Sequence, residues 1–163
     1  MGVRNCGELG VNLQKIVRRL MANDELVSLL YFEDKEPLNH LPLTAEEKQE
    51  KIFEELIRVI PKVNTREDSK SVVAVYVTKG AKLSSNNEFT NISISVDVFV
   101  PLTQWIIKDT NLRPFAILGH IQESLDGKTI NGLGKLSGGD FDLVLLTDEM
   151  SVYRQTFFLT EYA

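Results

Sequence analysis

The sequence is poor in the residues that form disulfides and bind metals. It contains one cysteine, Cys6, and two histidines among 163 residues. A single cysteine cannot form a disulfide within the chain, and neither histidine has a second candidate ligand at a spacing that metal sites use. The sequence therefore predicts no intrachain disulfide, no metal site and no cofactor, and it fits a reducing compartment.

Long apolar runs and an excess of basic charge are also missing. No stretch approaches the roughly 20 apolar residues that span a bilayer, and residues 1–10 lack the apolar centre of a secretion signal. We therefore expect no membrane association and a chain that stays in the cytoplasm, at least until assembly. The formal net charge of -5 argues against a reader of nucleic-acid sequence, because such proteins contact phosphates through clustered Lys and Arg.

The remaining composition is that of an ordinary folded protein. Hydrophobic residues make up 43% of the chain and charged residues 25%, so a substantial core can form. We predict a single domain over residues 1–163, with a helical N-terminal part over residues 1–62. The rest, residues 63–163, is predicted to be a sheet with one helix.

Three helices are predicted in the N-terminal part. Apolar residues recur at helical spacing over residues 9–20, with Asn12 among the polar residues of the opposite side. Asn23 is placed to cap a second, short helix. Thr44 and Glu47 have the spacing of a capping box, which predicts a third helix that stops at Pro61.

Four strands and one helix are predicted in the rest of the chain. Residues 72–78 form a β-branched run, and residues 92–100 alternate between apolar and largely polar positions. A helix is expected with Pro114 in its first turn. Two further strands are expected over residues 141–146 and 151–161. The predicted fold is α+β, a mostly antiparallel sheet of about four strands with helices packed against it.

Two segments rich in small and polar residues are predicted to be exposed loops. The first, residues 79–88, is expected to be a loop or the tip of a long hairpin, and the second, residues 132–140, is rich in glycine. Loops on a rigid scaffold often carry contacts, although an idle loop fits the same composition. The candidate contact residues in these loops are Lys79, Lys82, Asn86, Asn87, Gly138, Gly139 and Asp140.

Trp105 is a further candidate for a protein contact. It follows Pro101 outside any clean strand or helix pattern, and tryptophan is enriched at binding hot spots. Packing in the core is the alternative, because large aromatic side chains are mostly buried.

The sequence does not assemble a catalytic centre. The glycines near residues 132–139 resemble a phosphate cradle, but such a cradle needs a strand before it and a helix after it, and here a strand follows. Asp140 and Asp142 would project to the same face of a strand and could share a proton, yet charges that protect an edge strand explain them as well. We therefore predict a protein that is not an enzyme.

The order of elements resembles one known family. Its marks here are the strand Val72-Val73-Ala74-Val75-Tyr76-Val77, the alternating strand over residues 92–99 closed by Val100-Pro101, the helix from Arg113-Pro114, and the closing segment Phe157-Phe158-Leu159-Thr160-Glu161-Tyr162. In this order they are similar to the tail-terminator, or head-to-tail joining, proteins of long-tailed bacteriophages. The helix over residues 9–20 stands where that family also begins.

The resemblance implies a structural virion protein without catalytic activity. Such proteins assemble in the host cytoplasm as a homo-oligomeric ring, typically a hexamer, on the head-proximal end of the tail tube. The ring stops polymerisation of the tail-tube protein and offers a docking surface for the head-side connector. Genome DNA passes through its lumen without sequence-specific binding. A closed ring requires heterologous contacts, so each subunit must offer two different patches.

Two other functions remain open from the sequence. The two additional N-terminal helices, predicted after residue 23 and after Thr44, also fit a head-completion or connector protein of the phage neck. A small cytosolic enzyme is a third possibility, with a site built from residues distant in sequence such as Asp140, Asp142 or His120.

Overall fold

The computed structural model describes residues 6–59, 70–82, 89–109 and 111–160. Four α-helices lie in this part of the chain: α1 (Gly7–Met21), α2 (Asp24–Tyr31), α3 (Ala45–Lys51) and α4 (Arg113–Leu125). The strands are β1 (Ile57–Arg58), β2 (Val72–Lys82), β3 (Phe89–Pro101), β4 (Thr129–Ile130), β5 (Gly134–Leu146) and β6 (Met150–Thr160). Short 3₁₀ turns lie at Pro37–Asn39 and Leu102–Gln104.

The strands form one mixed sheet in the order β1-β2-β3-β6-β5-β4. The four long strands, β2, β3, β6 and β5, are antiparallel to their neighbours, and they are the four strands predicted from the sequence. The two-residue strands β1 and β4 were not predicted. β1 is parallel to β2, so the sheet is mixed and has six strands.

The core lies between one face of the sheet and the helices. In β3 the alternating residues Ile92, Ile94, Val96, Val98 and Val100 are at most 1% exposed. From α4, Ile117, Leu118, Ile121 and Leu125 are buried. The helix begins as predicted with Pro114 in its first turn, where the missing N–H costs no hydrogen bond. The apolar side of β3 is thus the inner layer of the protein.

The opposite face of β3 is also buried, which the alternation did not predict. Ser95 and Asp97 are only 1% and 4% exposed. β3 lies between β2 and β6, and both polar side chains find hydrogen-bond partners on those neighbours. A buried polar group is stable when such partners exist.

The first two helices follow the sequence signals, with one correction. Asn23 caps α2, because its side-chain oxygen accepts a hydrogen bond from the Leu26 N–H at 3.0 Å. Asn12, predicted on the polar side of α1, is instead buried and donates to the Gly132 carbonyl at 3.0 Å. This bond joins α1 to the turn before β5, so Asn12 belongs to the inner side of the helix.

The prediction of a long third helix was wrong. Thr44 and Glu47 form the expected capping box, but the helix that they start ends at Lys51. Glu54 then adopts a φ of 65°, which an α-helix cannot contain. Ile52 and Leu56 are still buried, since a turn brings them to the core. Pro61, the predicted end, lies outside the described residues.

Candidate subunit interface

The second half of β5 exposes an unusual amount of apolar surface. Five consecutive or nearly consecutive side chains are each 41–58% exposed: Phe141, Leu143, Val144, Leu145 and Leu146. Scattered exposed apolar residues are normal on proteins, whereas a contiguous group makes this strand a candidate contact site. We call residues 139–146 the β5 edge.

The β5 edge also lacks a neighbouring strand among the described residues. β4 pairs only with Gly134 and Lys135, and the chain just before β4 bonds to Leu136 and Gly138. Beyond Gly138, no part of the chain that the structure describes pairs with the outer side of β5. Free backbone N–H and C=O groups beside exposed apolar side chains are a template for the addition of another strand.

Gly138 and Gly139 lie in β5, so the prediction of a flexible loop at these positions was wrong. Gly138 pairs with Phe157 and Asp140 pairs with Thr156, which leaves Gly139 as the extra residue of a β-bulge. Both glycines have positive φ values, 136° and 119°. The glycines thus serve the geometry of the strand.

Asp140 and Asp142 lie on one face of the sheet, as their spacing predicted. Asp140 is opposite Thr156 and Asp142 is opposite Arg154 in the register of β5 and β6. Both carboxylates are exposed. They therefore place negative charge along the β5 edge, on the face opposite the helices.

The predicted contact residues of the first loop are only partly described. Lys79 and Lys82 belong to β2, which continues four residues beyond Thr78 and pairs with β3 as a long hairpin, so the hairpin alternative and not the loop fits these two residues. Lys79 is exposed and lies opposite Ser93. The side chain of Lys82 and all of Asn86 and Asn87 lie outside the described residues.

Trp105 takes part in a group of aromatic rings beside the β5 edge. The tryptophan is half-buried, and its indole N–H donates to the Ser151 hydroxyl at 2.8 Å. Phe115, Tyr153 and Phe141 continue the group, with neighbouring ring centroids 5.4–6.3 Å apart. The Phe141 ring of the β5 edge therefore packs against Phe115 and Tyr153.

A buried carboxylate organises the sheet face opposite the helices. Asp97 accepts two hydrogen bonds from Arg154, at 2.9 and 3.2 Å, and one from the Tyr76 hydroxyl at 2.7 Å. Burial and the bond to Asp97 raise the pKa of Tyr76 to about 12. The bond to Asp97 likewise raises the pKa of Arg154. Three strands, β2, β3 and β6, are joined by these bonds.

We expect Tyr76→Phe to lower the free energy of unfolding by about 1–2 kcal/mol at neutral pH, because Asp97 loses a donor. The hydroxyl stabilises the fold fully below pH 10, the ordinary pKa of tyrosine, and its contribution disappears as pH rises from 10 to 12. Urea unfolding measures the first effect. Absorbance titration should show a late phenol ionisation that Tyr76→Phe removes and Tyr153→Phe keeps; a late ionisation in Tyr76→Phe would contradict the assignment.

The residues of the enzyme alternative do not meet at one place. His120 lies on α4 with its Nε2 3.0 Å from a Glu25 carboxylate oxygen, whereas Asp140 and Asp142 lie on the β5 edge. Among the described residues, no group of three or more His, Cys, Asp or Glu side chains is arranged for a metal ion. No helix in the same residues has the length and apolarity needed to cross a membrane.

The sequence analysis named Gly139 and Asp140 as candidate contact residues but not the apolar part of the β5 edge. The apolar run over residues 143–146 was visible and was assigned to a strand. Its exposure depends on strand order, since the same run in the middle of the sheet would be core. The acidic residues at 140 and 142 and the glycine pair before them were the available signals that the strand lies at an edge.

The fold and the candidate site define the class of protein. It is an α+β protein with helices on one side of a mostly antiparallel sheet and an exposed apolar strand near the edge of that sheet. A family model matches residues 23–159, and the chain belongs to that family, YomW. The name comes from a gene of an SPbeta-like prophage, which suggests a phage-associated protein. No curated protein and no solved structure matches the chain.

Proposed function

We propose that this protein is a structural component of a phage virion that forms a ring on the head-proximal end of the tail tube. The ring ends polymerisation of the tail-tube protein and provides the surface on which the head-side connector docks. It acts by shape and contact, without a catalysed reaction. A hexamer is the expected ring, assembled in the host cytoplasm before the virion is complete.

The observation that carries the proposal is the β5 edge. An exposed apolar strand with unpaired backbone groups favours association. The two ends of this sheet differ, since β1 lies at one end and β5 with β4 at the other. Contacts between unlike edges are heterologous and generate a ring when the rotation between copies closes. The phage origin of the family name supports the same proposal.

The charge of the chain is compatible with a channel for DNA. With a net charge of -5, a lumen lined by acidic groups would not retain the phosphate backbone as the genome passes. The electrostatic potential of an assembled ring, taken from an electron microscopy reconstruction, tests this point. A strongly basic lumen would contradict it.

Deleting the gene from a prophage that encodes the protein is expected to give tail tubes of uncontrolled length and separate filled heads. The reason is that nothing then stops the addition of tube subunits or joins the tube to the connector. Electron microscopy of induced lysates measures tube length and head attachment. Expression of the protein from a plasmid should restore joined particles of uniform length.

The result of the deletion also distinguishes a tail terminator from a neck protein and from an enzyme. Tubes of normal length beside unattached heads would favour a neck or head-completion protein over a terminator. Normal virions in the deletion strain would exclude both structural roles. A small molecule that raises the melting temperature of the purified protein in a saturable manner would then favour an enzyme.

A further inference from the structure

A second edge without a pairing strand among the described residues lies on β2. β1 pairs only with Val73 and Ala74, through Ile57 and Arg58. From Val75 to Lys82, no described residue pairs with the outer side of β2. This leaves eight residues, 75–82, which we call the β2 edge. The β5 edge has the same number, 139–146, although the Gly139 carbonyl already accepts a hydrogen bond from the Gln155 side chain.

The directions of the two strands suit pairing between copies. β5 runs parallel to β3 and antiparallel to β6 and β2, because each step from β2 through β3 and β6 to β5 is antiparallel. Rotation about a ring axis preserves the direction of strands that run along that axis and keeps the same sheet face toward the lumen. The β5 edge of one copy therefore meets the β2 edge of the next in antiparallel orientation, which is the more favourable pairing.

One register pairs the two edges over their whole length. If Asp142 lies opposite Lys79, residues 139–146 meet residues 82–75. Lys79 shares a sheet face with Asp97, as Asp142 does, so a carboxylate and an ammonium group become cross-strand neighbours. Opposite charges in such a pair stabilise it, and like charges destabilise it.

The irregularities of the two strands also coincide in this register. β2 has a register shift between Val77 and Lys79, and β5 has one between Leu143 and Leu145. Residues 143 and 144 would then lie opposite residues 78 and 77. Each strand has one extra residue at the same point. Paired side chains of β2 and β5 therefore lie on the same face of the joined sheet both before and after the irregularity. Leu145, on the same face as Asp142, would lie opposite Tyr76.

We propose that a second copy of this chain occupies the β5 edge by strand addition of its β2 edge, with Asp142 opposite Lys79. The neighbouring copy is displaced along the strands by about four residues, roughly 13 Å. Strands that close a ring with such a stagger tilt against its axis, as they do in barrels. The inference rests on the proposed ring and specifies which surfaces close it.

A disulfide between copies tests this contact. In a Cys6→Ser background, Lys79→Cys with Asp142→Cys should give covalent oligomers up to the size of the ring after oxidation, seen on non-reducing gels. Within one chain the two positions are separated by two intervening strands, roughly 14 Å or more, which exceeds the reach of a disulfide. Lys79→Cys with Glu123→Cys, whose second site is exposed on α4, is the matched control and should stay monomeric.

Charge exchange is a second test that does not depend on oxidation. Lys79→Asp and Asp142→Lys should each weaken association roughly tenfold, because they place like charges opposite each other, and the double variant should restore it. Circular dichroism and urea unfolding show whether each variant is folded. Additive weakening in the double variant would overturn the register.

The outcomes distinguish this contact from the proposed function. Rings seen by native mass spectrometry without the 79–142 disulfide would overturn the contact and leave the ring intact. Covalent chains that lengthen without closing would support the contact and contradict the ring. A chain that stays monomeric at all concentrations, with and without tail-tube protein, would overturn the contact.

Discussion

Replacing Arg113 with methionine is expected to lower the free energy of unfolding by about 4 kcal/mol, the largest effect among the substitutions considered. Arg113 is 0% exposed although it carries a charge. Burial lowers its pKa from the ordinary value, because the charged form loses hydration. The charged Arg113 side chain is stable in the core because of the hydrogen bonds that it donates.

These bonds go to four backbone carbonyls. The guanidinium donates to Gln104 O at 2.8 Å, to Phe32 O at 2.9 Å and to Asp34 O at 2.7 Å. It also donates to Leu29 O, in the last turn of α2. A cation beside the carbonyls at a helix C-terminus is favourable, and methionine would leave all four oxygens without this donor.

Urea or thermal unfolding measures the effect. Arg113→Lys should recover only part of the loss, since an ammonium group has no planar fork that reaches carbonyls on both sides. Arg18→Met is the matched control, because this arginine is exposed on α1, and it should cost less than 1 kcal/mol. A loss below 1 kcal/mol in Arg113→Met would show that the buried bonds do not stabilise the fold.

Gly138→Ala is expected to lower the free energy of unfolding by about 3 kcal/mol. An added Cβ would lie 2.6 Å from the Thr156 carbonyl oxygen and 3.1 Å from the Phe157 Cα. Both atoms belong to the backbone of β6, so no side-chain movement can relieve the contact. The φ of 136° is strained for alanine in addition. The strand should shift away from β6 and alter the β5 edge.

Gly139→Ala is the natural comparison for this substitution. Its Cβ would meet only the side chain of Gln122, at 3.0 Å from Nε2, and that flexible side chain can move. We expect Gly139→Ala to lower the free energy of unfolding by about 1–2 kcal/mol, mainly because a φ of 119° is strained for alanine. Equal losses for the two variants in urea unfolding would mean that the contact with β6 does not decide the cost.

Local signals predicted the elements that depend on local chemistry. The cap at Asn23, the capping box at Thr44 and the first turn at Pro114 are all present, because each rests on backbone hydrogen bonds within a few residues. The four long strands followed from alternation and β-branched runs. The prediction of a long third helix was wrong because the spacing of Ile52 and Leu56 fits a turn into the core as well as a helix.

Features that depend on strand order could not be predicted. The strands β1 and β4 have only two residues each, which is too short to show an alternating pattern in the sequence. The burial of Asp97 depends on Tyr76 and Arg154, which lie far from it in the chain. The exposure of residues 143–146 likewise follows from the position of β5 near the end of the sheet. Local sequence patterns predict that a strand forms, but they do not predict which strands lie beside it in the sheet.

The position of β6 sets the order of events during synthesis. β6 is the last of the described strands to leave the ribosome, yet it separates β3 from β5 in the sheet. Until it emerges, the β2–β3 hairpin and the β4–β5 hairpin cannot join into one layer. Nascent chains therefore cannot present both edges in their final relation, and coassembly during translation is disfavoured.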